Sequence, residues 1–151
     1  MKKENYRATI TVNKSVLDCT DAISQVKDWW IEKTDGKATE INDEFKLDMG
    51  DTKVSFMITE QDPGKKIVWL VTDCYIPWLR DKKEWKGTKV IWEIRPLKEG
   101  SLIIMEHIGL TPEVECFEAC QKGWDFYVKT SLLKLINEGK GLPDKRKEYA
   151  S

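Results

Sequence analysis

The chain has 151 residues, enough for a single domain that buries roughly two-thirds of its unfolded surface. Its 25 Lys plus Arg against 26 Asp plus Glu leave a formal charge of -1, so no overall field draws it to nucleic acid or to an anionic membrane. No segment approaches the ~20 apolar residues of a membrane helix, and MKKENYRATITV alternates where a secretion signal would be continuously apolar. A cytoplasmic protein is expected, with no nucleic-acid or membrane partner and with Cys19, Cys74, Cys116 and Cys120 reduced.

Tyr6, Ala8, Ile10 and Val12 alternate with Arg7, Thr9 and Thr11, the period of a half-buried first strand. Ser15 with Asp18 three residues later opens one or two short helices, carried by Val16, Leu17, Ala22, Ile23 and Val26 and ending near Trp30. Thr34-Asp35-Gly36-Lys37 reads as a turn. Strand-like runs follow at 38–41, 44–49, 53–60, 66–75, 88–95 and 101–108, punctuated by Gly50-Asp51, Asp62-Pro63-Gly64 and Glu99-Gly100. Hairpin chemistry at these breaks makes antiparallel neighbours the economical arrangement. In the last strand the Ile103, Met105 and His107 side is expected to face inward, because Glu106 lies on the other.

Thr111-Pro112 is a helix opening, and the pattern predicts one long helix over about 113–137, stopped by Gly139 and Gly141-Leu142-Pro143. Its inner stripe is Cys116, Cys120, Trp124, Tyr127, Ser131 and Leu135. Residues 144–151 read as a flexible tail of this single domain. A strand, two short helices, six strands and a long helix define an α+β architecture in which a curved antiparallel sheet and the helix enclose space between them.

Six stretches resemble one family in order along nearly the whole chain: KDWWIE (27–32), DEFKLDMGD (43–51), DPGKKIVW (62–69), KEWKGTKV (83–90), EHIGLTPE (106–113) and GWDFYVKTSLLKLINEGKGLP (123–143). They look like the bacterial branch of the START-like superfamily, also called SRPBCC, similar to the activator of heat-shock-protein ATPase. The resemblance implies a helix-grip fold with an apolar cavity between sheet and C-terminal helix. It also implies a choice of functions: carriage of a hydrophobic small molecule, cavity catalysis in some branches, or contact with a chaperone. Fold constrains where function lies more than what it is.

Four of the seven tryptophans fall between Trp69 and Trp92. They serve equally well as cavity walls or as plain core. Magnitude favours a tenant over a void, since an empty pocket of roughly 300 Å³ would cost on the order of 7 kcal/mol. The residues expected to touch a ligand are Trp30, Phe45, Trp69, Trp92, Met105, His107, Cys120, Trp124, Tyr127 and Ser131. Tyr127 and Ser131 offer hydroxyls on an otherwise apolar stripe, and Gly123 is read as allowing close approach of helix to sheet.

His107, the single histidine, is read chiefly as a satisfied structural residue, with proton transfer on a cavity-bound substrate as its functional alternative. Cys116 and Cys120 lack third and fourth ligand partners for a metal. Glu106, Asp73 and Asp125 are explained by solvated positions. The leading reading is therefore a binding domain for a hydrophobic or aromatic small molecule, monomeric or weakly dimeric, without cofactor. The rival is a chaperone-contacting module that would use an exposed patch of Trp78, Leu79 and Trp85.

Overall fold

Strict alternation of Tyr6, Ala8, Ile10 and Val12 with polar residues produces the first strand, β1 (Tyr6–Val12), buried on every second side chain. In the computed structural model, which describes residues 4–144, two short helices follow, α1 (Val16–Ser24) and α2 (Val26–Trp29). Ser15 caps α1 by accepting the Asp18 N–H at 3.1 Å, one of the donors a helix start leaves orphaned. Six further strands run β2 (Thr34–Gly36), β3 (Glu44–Met49), β4 (Thr52–Asp62), β5 (Lys66–Tyr75), β6 (Lys89–Pro96) and β7 (Ser101–Ile108).

All pairings are antiparallel in the order β1-β7-β6-β5-β4-β3-β2. Register shifts between Ser55 and Phe56 and between Ile58 and Glu60 interrupt the β4–β5 ladder. Such irregularities bend and twist a sheet, and this one curves around the C-terminal helix. That helix is α3 (Phe117–Phe126), a π-helical segment (Tyr127–Leu132) and α4 (Leu133–Glu138) in succession. Gly139 ends it with a left-handed φ of 85°.

Three expectations change. The Thr34–Lys37 turn is instead the edge strand β2, and the run 38–41 is a loop. The Asp43 carboxylate holds that loop by accepting from the N–H groups of Thr39 and Glu40, which holds its pKa below the usual carboxylate range. Gly36 fits β2 because a Cβ there would lie 2.1 Å from the Glu44 carbonyl oxygen. The long helix begins at Phe117, four residues later than Glu113. Val114 N–H bonds to Thr111 C=O and Phe117 N–H to Val114 C=O, so 111–117 turns tightly before the helix proper.

Asp144 is bridged to Ile31, with Asp144 N–H on Trp30 C=O and Glu32 N–H on Asp144 C=O. The remainder of the expected tail, 145–151, lies outside the described residues. No helix among the described residues is long and apolar enough to cross a membrane.

Candidate functional site

The space between sheet and helix is largely filled. Trp29, Trp69 and Trp92 are 0% exposed and meet one another through centroids 5.4 to 6.5 Å apart, Trp92 edge-on to both others. Phe45 and Phe56 stack at 4.9 Å, and each meets Trp69 edge-on. Edge-to-face contact is the arrangement that the ring quadrupole favours and one that closes volume. The indole nitrogens of Trp69 and Trp92 are buried without a hydrogen-bond partner. Both rings have T-shaped aromatic neighbours.

Space remains at one end, where the β3–β4 turn, the segment after β5 and the first half of the C-terminal helix converge. The pocket there has a volume of about 140 Å³. Trp30, Trp85, Trp124 and Tyr127 supply its aromatic walls; Met49, Val54 and Ile76 its aliphatic ones; Thr52, Cys120 and Gly123 the rest. Gly123 does not bring the helix against the sheet as expected. A Cβ built on it meets nothing within 4 Å, so its missing side chain is part of the opening.

The pocket's back wall is fixed by a proton-ordered chain. Trp124 Nε1–H donates to His107 Nδ1 at 3.1 Å, which leaves His107 Nε2 to carry the hydrogen toward Thr88 Oγ1 at 2.9 Å. Thr88 Oγ1–H donates in turn to Trp85 C=O at 2.7 Å. Both ring nitrogens are thus engaged, and complete burial pushes the His107 pKa down to about 3 by disfavouring the charged form. His107 is a neutral structural link between Trp124 and, through Thr88, Trp85.

The lid over this end is the segment 76–88 between β5 and β6. Its exposed patch of three apolar residues does not form: Trp78 is 55% exposed, but Leu79 and Trp85 are buried. Trp85 lies parallel to Trp124, 4° between planes at 6.3 Å, and donates its Nε1–H to Cys116 Sγ at 3.2 Å. The Glu84 carboxylate accepts the N–H groups of Glu115 and Cys116, and Arg80 N–H donates to Glu115. Segment and helix start are thereby tied together.

Cys116 and Cys120 are joined by a disulfide with Cα atoms 5.7 Å apart. This corrects the expectation of four reduced cysteines. One helical turn places side chains at i and i+4 on the same face, within the Cα separation a disulfide spans. Cys19 and Cys74 are free and buried.

Of the residues expected to touch a ligand, the structure brings Trp30, Cys120, Trp124 and Tyr127 to the pocket. Trp69, Trp92 and Met105 are wholly buried in the filled centre, and Phe45 stacks on Phe56 there. His107 lies behind Trp124. Ser131 spends its hydroxyl elsewhere, donating to Trp29 C=O at 2.6 Å and accepting from Leu142 N–H at 2.7 Å. The π-helical segment carries Ser131, and such segments recur where a helix is reshaped for a particular contact.

Sequence reading did not single out Met49, Thr52, Val54 or Ile76; Gly50-Asp51, which reverses β3 into β4, was the available signal for the first two. The three carboxylates do not meet. Asp73 pairs with Lys83, Asp125 accepts from the Tyr6 hydroxyl and pairs with Lys129, and Glu106 faces Asn5. Among the described residues no group of three or more His, Cys, Asp or Glu is placed to hold a metal ion.

Neither a protein-family profile nor a curated protein sequence matches the chain. Solved structures match it by fold. The Aha1 dimer from Colwellia psychrerythraea has a TM-score of 0.74 at 19% identity, covering 91% of this chain and 98% of that one. DynU16, from the dynemicin biosynthetic locus, has a TM-score of 0.68 at 14% identity, and the match spans 93% of this chain but 49% of DynU16. CalU16 from Micromonospora echinospora has a TM-score of 0.60 at 15% identity, over 86% of this chain and 72% of that one. The fold is the helix-grip, START-like architecture that the sequence motifs indicate.

Proposed function

We propose that this START-like domain binds a small, flat, apolar ligand, or one ring of a longer ligand, in the pocket walled by Trp30, Trp85, Trp124 and Tyr127. The observation that carries the reading is the pocket's combination of size and wall chemistry. At about 140 Å³ it is close to an engineered apolar cavity of ~150 Å³ that stays dry and accepts benzene.

A drug-sized ligand needs roughly 300 Å³ or more. Such a molecule would have to displace rings of the filled centre, so the buried part of the ligand is one ring and the remainder stays outside. The hydroxyls of Thr52 and Tyr127 supply the polar points on this wall. None of the ten wall residues is a carboxylate, a lysine, an arginine or a histidine, which favours holding a molecule over transforming it. Proton transfer by His107 loses support, because both its nitrogens are engaged. A chaperone partner keeps Trp78 alone from the three apolar residues expected to meet it.

Intact mass under native and denaturing conditions, with a toluene titration alongside, tests the reading on the protein and on Gly123→Leu. The leucine side chain enters the pocket while the helix gains about 0.8 kcal/mol in propensity. The expected result is a removable extra mass or saturable toluene binding in the parent, absent from Gly123→Leu at an unchanged or raised Tm. Equal binding by both proteins would overturn the site.

A further inference from the structure

The chain's four cysteines divide into two kinds. Cys19 and Cys74 are buried thiols that form no disulfide, with pKa values raised chiefly by burial, the condition of an inert thiol. Cys116 and Cys120 are bonded to each other at the start of α3. The two bonded sulfurs differ. Cys116 is 0% exposed and held by the Trp85 indole, whereas Cys120 is half-buried and forms part of the pocket wall. One sulfur is therefore anchored and the other is within reach from the pocket.

We propose that Cys116–Cys120 is a thiol–disulfide exchange site, acted on by a dithiol reductant, whose oxidation state sets the position of the pocket wall. Its effect on binding rests on the ligand-binding reading above; the exchange itself does not.

The chemistry follows from access. A thiolate of the reductant attacks Cys120 Sγ, a reductant–Cys120 mixed disulfide forms, and the Cys116–Cys120 bond breaks. The electron pair leaves on Cys116 Sγ, which keeps the Trp85 N–H as a donor and takes a proton from water. The adjacent Glu84 carboxylate, seated on the Glu115 and Cys116 N–H groups, disfavours a lasting second negative charge there. The reductant's second thiol, as thiolate, then attacks its own sulfur in the mixed disulfide and releases Cys120 as a thiolate that is protonated. Two electrons and two protons pass to the protein, and the reductant leaves as its disulfide.

The structural consequence is a matter of radii. Bonded sulfurs sit about 2.05 Å apart, whereas unbonded heavy atoms need about 3.5–4 Å. Reduction replaces a covalent bond by a non-bonded contact, so the two sulfurs must move apart. Cys116 has no room, being fully buried beneath Trp85. Cys120 takes the displacement into the open space beside it, which is the pocket. Oxidised protein has the wider pocket and reduced protein the narrower one.

The test uses the full chain with dithiothreitol as reductant, iodoacetamide as trap and toluene as pocket probe. In native buffer one carbamidomethyl group is expected after reduction, mapped to half-buried Cys120, with fully buried Cys116 and the buried thiols Cys19 and Cys74 unmodified. Glutathione disulfide should restore resistance to the trap. Toluene affinity is expected to fall about fourfold on reduction, the equivalent of one methylene's burial. Cys120→Ser, which removes the bond but leaves the anchored sulfur, should show the weaker affinity with or without reductant.

Trapping of Cys120 only after denaturation would overturn the exchange site. Ready exchange with equal toluene affinity in both states would overturn control of the pocket. Ready exchange with toluene bound by neither state would overturn the ligand reading, and with it redox control of binding, while the trapping result upholds the exchange site.

Discussion

The two ends of the aromatic cluster use the same residue type to opposite effect. At the centre, Trp29, Trp69 and Trp92 lock together with Trp92 edge-on to the others, all three wholly buried. At the outer end, Trp30 and Trp124 meet at a tilt of 42° with centroids 4.6 Å apart, and Trp85 lies parallel to Trp124. The wall rings face Gly123, whose absent side chain leaves volume there, whereas the central rings face one another. Whether a tryptophan in this fold is core or wall is thus decided by what stands opposite its ring.

The most forceful way to break this contrast is to empty the centre. Trp69→Ala deletes a wholly buried indole and should cost about 3–5 kcal/mol, read from denaturant midpoints. A loss under 1 kcal/mol would mean the centre is looser than its contacts imply.

Acid tests the wall's support. The His107 pKa is about 3 when folded and 6.5 in its unperturbed state. Between these values the unfolded chain binds more protons than the folded one, so stability rises with pH. The stabilisation is complete above pH 6.5 and is lost progressively as pH falls toward 3. By pH 4 the loss should reach on the order of 3 kcal/mol, at about 1.4 kcal/mol per unit, and His107→Gln should flatten that part of the stability profile.

Ser131→Ala sharpens the comparison from the inner side. It orphans the Trp29 carbonyl and the Leu142 N–H and should cost about 1–3 kcal/mol, measured by thermal melting, without altering toluene binding. Trp78→Ala, by contrast, removes a half-exposed ring and should shift stability by less than about 0.5 kcal/mol.

The strands were legible because their alternation encodes which face is wet, and six of the seven needed only that pattern. The edge strand β2 was misread because Thr34-Asp35-Gly36 carries local turn chemistry that a neighbouring strand overrides. The start of the long helix was misplaced because an anchor for its entry, Glu84, comes from about thirty residues away. Cys116 and Cys120 were legible as helical neighbours, but their bond was not, because the reduced state was read from the expected compartment and not from their geometry. His107 could be placed inward by alternation. Its protonation state could not, since Trp124 and Thr88 arrive from two other elements to fix it. The pocket was legible in four residues and not in the rest, because volume depends on gaps, and Gly123 contributes by having no side chain at all.

Six indoles, those of Trp29, Trp30, Trp69, Trp85, Trp92 and Trp124, form a connected series with neighbouring centroids 4.6 to 6.5 Å apart. At such separations ultraviolet excitation does not stay on the ring that absorbs it. The series behaves as one coupled chromophore, with strong near-ultraviolet circular dichroism and energy migrating to whichever ring lies lowest. That migration reaches Trp85, whose indole touches a disulfide sulfur, a quencher of excited indole. Light absorbed deep in the core is therefore extinguished at the pocket's edge, and Trp78, outside the series and in water, is left to emit on its own at longer wavelength.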